Sequence, residues 1–235
     1  MLIREGSERT LQVDLSLATV LAFLAGGVNS AGFVAYGYFS ANMTGNVSTS
    51  AEMASVMMLT AAGAFLIIVV MFMLGAFLAS LFIEAGKRLE LKKIYAVALS
   101  IEAVLLIATG MAVALSANAA HGVLVVGTLS FAMGIQNAAS TRLSGSRVRT
   151  THVSGVATDL GIGLGQLLSS NDQKQRSISL SRLRLNLATL LSFALGGVAG
   201  VLSYQTFQSY AFSLFGLLLL FLSARYVFTP SRMEG

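Results

Sequence analysis

GGVNSAGFVAYGYFSANMTGN, residues 26–46, has the apolar flanks of a membrane span yet is dense in glycine, asparagine, serine and threonine. Such residues are poor filler for hydrocarbon, because each buried polar group needs a partner. A second stretch of the same character, GIQNAASTRLSGSRVRTTHVSGV, covers residues 134–156. The pair is therefore the candidate working site of a membrane protein.

The rest of the chain supports that setting. It has 235 residues, 55% hydrophobic and only 11% charged, with mean hydropathy +0.79. A soluble domain carries roughly 25% charged residues. There is no cysteine and there are two histidines, so thiolate and clustered-ligand metal sites are not expected. The net charge of +5 comes from short basic runs beside apolar spans, the positive-inside pattern rather than a nucleic-acid face. No cofactor is expected. No Ser/His/Asp or paired-carboxylate arrangement points to an enzyme. The glycines at Gly161, Gly163 and Gly165 lack the strand context of a nucleotide site.

Outward from the two motifs, the apolar pattern predicts six full spans. They cover residues 15–38, 59–82, 94–115, 123–139, 185–203 and 212–228. Residues 44–57 and 152–168 read as two short helices. The first would rise roughly 21 Å, short of the ~30 Å hydrocarbon core. The polar, basic stretch over 169–184 reads as a loop with freedom to move. The charged N-terminal lead shows no cleavage site, so the first apolar segment is expected to be retained.

The halves also match each other. Gly26-x-x-Asn29 answers Gly134-x-x-Asn137, and Thr44-Gly45 answers Ser154-Gly155. Phe72-x-Leu74-Gly75-x-x-x-Ala79 answers Phe193-x-Leu195-Gly196-x-x-x-Gly200. If both short helices crossed the membrane, the basic runs at 87–93 and 174–184 would face outside. If both are re-entrant or part-spanning, every basic run falls on the inner side. The expected fold is therefore all-α and polytopic, with six transmembrane helices plus two short re-entrant helices. It forms one membrane domain over 1–235, an inverted internal repeat of about 14–117 and 120–228. The termini are expected on the cytoplasmic side, and the motifs to meet near the midplane as in inverted-repeat transporters.

The candidate substrate-binding residues are Asn29, Asn42, Thr44 and Asn46 in the first half. In the second they are Gln136, Asn137, Thr151, His152, Ser154 and Thr158. Uncharged amides and hydroxyls suit a neutral or zwitterionic solute, an ion stripped of water, or water itself. The same residues also serve as interhelical glue and helix caps. Glu102 and Asp159 are candidates for ion coupling, since a charge at mid-helix costs about 2.5–3.5 kcal/mol on insertion scales. For Asp159 the alternative is a bridge to Arg142, Arg147 or Arg149. Gly75, Ala79, Gly196 and Gly200 are candidates for close helix packing.

Asn42-Met43-Thr44-Gly45-Asn46, with Gly26-x-x-Asn29, Gly134-x-Gln136-Asn137-Ala138, Thr151-His152-x-Ser154-Gly155 and Thr158-Asp159-Leu160-Gly161, resembles the YoaK-type family of bacterial inner-membrane proteins of unknown function. The resemblance covers nearly the whole chain and implies a bacterial plasma-membrane location. It implies no substrate. The family carries an aspartate where Asn29 stands, so this chain has no carboxylate for coupling there. The functional expectation is a small-solute or ion transporter. The alternatives are a passive channel and a non-transporting scaffold or partner subunit. Expected partners are the lipid bilayer, an unidentified small solute and, from size alone, a second copy in a homodimer.

Overall fold

The computed structural model describes residues 2, 5, 6, 9–116 and 122–228. The basic residues at Arg4 and Arg232, Pro230 and most of the turn at 116–121 lie outside them. The described residues form eight α-helices and no strand. They are α1 (Leu11–Tyr36), α2 (Met43–Ser55), α3 (Leu59–Arg88), α4 (Ile94–Leu115), α5 (Gly122–Leu143), α6 (Val153–Ser169), α7 (Gln173–Phe207) and α8 (Tyr210–Phe228). Six of them, all but α2 and α6, are long and apolar enough to cross a membrane.

Lipid tails are as apolar as leucine, so helices in a bilayer associate through close van der Waals packing rather than water exclusion. Glycine supplies that closeness here. A Cβ added at Gly26 would strike the Phe193 carbonyl, and one at Gly196 would strike the Phe23 carbonyl. The other half repeats the pattern: Gly134 lies on the Phe72 carbonyl and Gly75 on that of Phe131. Gly200 lies on Gly27, and Ala79 is buried. The small-residue pairs thus seat α1 on α7 and α3 on α5, within one chain. A third crossing joins α4 to α8, where Gly110 meets Ser209 and Ser213 while Gly216 meets Ala103 and Ile107.

These contacts fix helix directions. Phe23 and Gly27 of α1 meet Gly196 and Gly200 of α7 in the same order, so the two helices are parallel. Between α1 and α5 the order reverses. Tyr36 lies by Gly122, Gly32 by Leu129, and the Gln136 side-chain N–H donates to the Leu21 carbonyl (2.8 Å). Helix α3 is parallel to α5, with Ser130 Oγ donating to the Ile68 carbonyl and Arg142 reaching Ser80 and Glu84. It therefore runs opposite to α1. A full crossing by α2 between them would have made them parallel, so α2 does not reverse the chain, and the same argument holds for α6.

One end of the bundle gathers the charges. Lys87 and Tyr95 donate to Glu5, Arg142 pairs with Glu84, Arg147 with Asp14, and Lys93 donates to the Val227 carbonyl. The other end carries Tyr36, Tyr38 and Tyr204, with Tyr38 against Phe65 and Tyr204 against Phe212.

One expectation is corrected. Residues 173–184, read as part of a mobile linker, are the first turns of α7. Asp172 caps them by accepting from the Lys174 N–H (2.9 Å), and Ser179 and Leu183 pack under α6. Arginine, lysine, glutamine and leucine are good helix formers, so the polar composition marked an exposed helical face rather than a break.

Replacing Gly196 with leucine forces α1 and α7 apart, and overpacking of this kind costs about 1–3 kcal/mol or more. The melting temperature of Gly196→Leu in detergent is expected to fall clearly. Gly63→Leu, where a Cβ meets open space, is expected to melt like the parent.

Candidate functional site

The first motif builds a corner. Helix α1 ends where Gly37 adopts a left-handed conformation (φ 76°) and donates to the Phe33 carbonyl. Asn29, buried about two turns earlier, accepts from the Ala41 N–H (2.8 Å). Asn46 then donates to the Phe39 carbonyl (2.8 Å). Asn42 caps α2 by accepting from the Gly45 N–H (3.0 Å), and a Cβ at Gly45 would strike that cap. Glycine follows the hydroxyl residue because the cap folds across the first turn. Thr44 and Asn42 themselves are exposed.

The second motif builds the same corner again. Asn137 accepts from Thr151 Oγ1 (2.9 Å) and donates to the Met133 carbonyl (2.8 Å). Gln136, fully buried, donates to Leu21 and to Thr150 Oγ1. The His152 ring lies where a Cβ at Gly155 would sit, as Asn42 does over Gly45. His152, Ser154, Thr158 and Asp159 are exposed.

The two corners do not converge. The first lies at the tyrosine end, beside Tyr36 and Gly122. The second lies at the charged end, beside Asp14 and Gly6. Asn29, Gln136 and Asn137 each hold a corner to a span and Asn46 holds one to α2, so their geometry is that of latches. The expected single site formed by both motifs is not what the structure brings together.

The charged end instead holds a cavity of about 510 Å³ between α1, α6, α7 and the turn before α6. Its wall includes Asp14, Arg147, Asp159, Gln166, Arg182 and Asn186. Asp14 is buried in the first turn of α1, where the helix dipole favours an anion; it accepts from Arg9 Nε (2.6 Å) and forms an ion pair with Arg147, whose Nε lies 3.0 Å away. Asp159, a coupling candidate whose alternative role was a bridge to Arg142, Arg147 or Arg149, forms no ion pair among the described residues and faces this cavity. Sequence reading missed Asp14. Its signal was an acid at the head of an apolar span, with a basic corner available to meet it.

A recess of about 490 Å³ lies at the tyrosine end, with Tyr38, Met58, Thr60, Ala61, Ala64 and Val123 in its wall. Charged groups line one recess and mostly apolar groups the other.

Glu102 lies on the buried face of α4, fully enclosed, and among the described residues neither carboxyl oxygen has a hydrogen-bond partner. At the charged end, burial alone would raise the Glu5 carboxyl. Hydrogen bonds from Lys87 and Tyr95, and the charges of Lys87 and Arg142, hold it below its ordinary value of 4.5. Among the described residues no group of three or more His, Cys, Asp or Glu side chains is arranged to hold a metal.

A family model described as "Protein of unknown function (DUF1275)" matches residues 17–224. Searches of the curated proteins and of the solved structures found no match.

Asn137→Ala leaves the half-buried Thr151 hydroxyl and the corner without their tie, a loss of about 1 kcal/mol. Faster amide exchange over 144–152 and a lower melting temperature are the expected readouts. Glu5, held low by its partners, contributes stability above its ordinary titration range and loses it as pH falls through the lowered value. The contribution is small because the pair is solvent-accessible. Glu5→Gln is expected to flatten the acid side of the melting-temperature profile below about pH 5.

Proposed function

The chain belongs to the DUF1275 family, whose description assigns no activity, and from its own geometry we propose that it is a small-solute transporter of the bacterial plasma membrane. Its two halves, α1–α4 and α5–α8, act as inverted copies, with the charged end in the cytoplasm.

The observation that carries this reading is the pair of recesses at opposite ends; with Gly75 matched to Gly196, Thr60, Ala61 and Ala64 of one answer Ser181, Arg182 and Leu185 of the other. Inverted copies can exchange conformations, so each recess is the other's counterpart in a cycle that opens first to one side and then to the other. The reciprocal glycine contacts support the same reading, since α1–α7 and α5–α3 are equivalent interfaces. The basic runs at the charged end favour its cytoplasmic placement.

The cavity wall sets the solute class. Asp159 and Arg182 offer opposite charges, with Gln166 and Asn186 as neutral donors and acceptors. This set suits a small polar solute, above all a zwitterion, whose carboxylate meets Arg182 and whose ammonium meets Asp159.

The parent chain contains no cysteine, so single cysteines report access directly. Ser181→Cys at the cavity and Thr60→Cys at its counterpart are expected to react with a membrane-impermeant maleimide from opposite sides. A bound solute from a panel of amino acids and betaines should change the two rates in opposite directions. Asp159→Asn and Arg182→Ala should each weaken that solute's binding about tenfold or more, the loss of one charged hydrogen bond. If no panel solute shifts the melting temperature and the two rates never respond, the transporter reading fails. Non-saturating, gradient-independent flux would instead identify a passive channel.

A further inference from the structure

Helix α4 buries a polar line. Tyr95, Glu102 and Thr109 are spaced seven residues apart, two helical turns each, and so share one face. All three are buried. Two of them are satisfied: Tyr95 donates to Glu5 at the charged end (2.8 Å), and Thr109 donates to the Leu105 carbonyl (2.7 Å). Glu102, between them, has no hydrogen-bond partner for either oxygen among the described residues.

Its neighbours do not supply one. The α8 side of α4 is taken by Ser100, which shares a hydrogen bond with Ser223, and by Ala103, Ile107 and Gly110, which pack on Gly216, Ser209 and Ser213. The remaining titratable groups on packed elements lie near helix ends. They are Arg142 on α5, acting on Tyr95; Glu84, Lys87 and Arg88 on α3; and Tyr210, Arg225 and Tyr226 on α8. None of them forms a hydrogen bond or ion pair with Glu102.

A carboxyl at this depth is costly, and a packing role would be met by leucine or glutamine at less cost. Such a group persists for structure only when partners repay its desolvation. The chemistry left to an unpartnered carboxyl in a closed bundle is reversible proton binding. We propose that Glu102 is the proton-carrying residue of the transport cycle, reached from the charged end along the α4 face headed by Tyr95. The proposal rests on the transporter reading above. When the bundle opens to one side, a hydronium ion transfers a proton to the Glu102 carboxylate, leaving water, and a carboxylic acid forms. When it opens to the other side, the acid returns that proton to water as hydronium.

The test is infrared spectroscopy on the full-length protein in liposomes, titrated with pH while circular dichroism monitors the fold. The expected result is a carboxylic-acid C=O band that declines as pH rises, disappears in Glu102→Gln and shifts in frequency in Glu102→Asp. A band that is constant wherever the fold is intact identifies a structural, permanently protonated residue and overturns the proposal. So does a titrating band that survives in Glu102→Gln. If the glutamine variant does not fold, the frequency shift of the aspartate variant makes the assignment.

A second measurement uses liposomes holding a pH-sensitive dye, with the same amino-acid and betaine panel. Wild type is expected to move protons with solute. Glu102→Gln is expected to lose gradient-driven uptake while keeping solute counterflow. Solute flux indifferent to the pH gradient and to Glu102→Gln sinks the proton proposal alone. A titrating Glu102 in a protein that moves no panel solute sinks the transporter reading instead.

Discussion

The close approach of α1 to α7 and of α3 to α5 is the constraint on which the rest depends. In lipid no water-exclusion force holds helices together, so backbone must meet backbone. Gly26, Gly196 and Gly200 allow this on one side, and Gly75 and Gly134 on the other. Each interface takes one helix from each half. Neither half can therefore bury its first and third spans alone, and the fold is a single interleaved body rather than two bundles side by side.

Interleaving also decides what the polar motifs do. With α1 seated against α7 and antiparallel to α5, the corners that follow α1 and α5 are carried to opposite ends. Asn29 and Asn137 spend their hydrogen bonds on those corners. Their amides fix where α2 and α6 depart, and so shape the recess beside each short helix. The charged recess owes its character to residues outside the motifs, with Asp14 held by Arg9 and Arg147 and with Asp159 and Arg182 on the wall.

The charged end has a second role as a clasp. Glu5, Glu84 and Asp14 gather Lys87, Arg142, Arg147 and Tyr95 from four parts of the chain. At the other end, aromatic contacts replace ion pairs. Salt bridges open to water contribute little each, so the two ends differ more in what they attract than in how firmly they hold. Glu102 stands between them on α4, which carries buried Tyr95, Glu102 and Thr109 at seven-residue steps.

Sequence by itself determined the helix inventory and the six long apolar spans, because hydrocarbon requires about 20 apolar residues per crossing and that requirement is local. It also determined the short helices, whose caps lie within a few residues of Asn42 and His152, and the glycines at the crossings. Only tertiary structure decided that the first 12 residues of α7 are helical, since their exposed polar face differs from a loop only through packing under α6. It alone kept the two motifs apart at their opposite ends instead of bringing them together near the midplane, because their separation comes from which glycine meets which carbonyl. And it alone assembled Asp14 with Arg9 and Arg147, and left Glu102 without a partner, since those distances join residues that no local pattern connects.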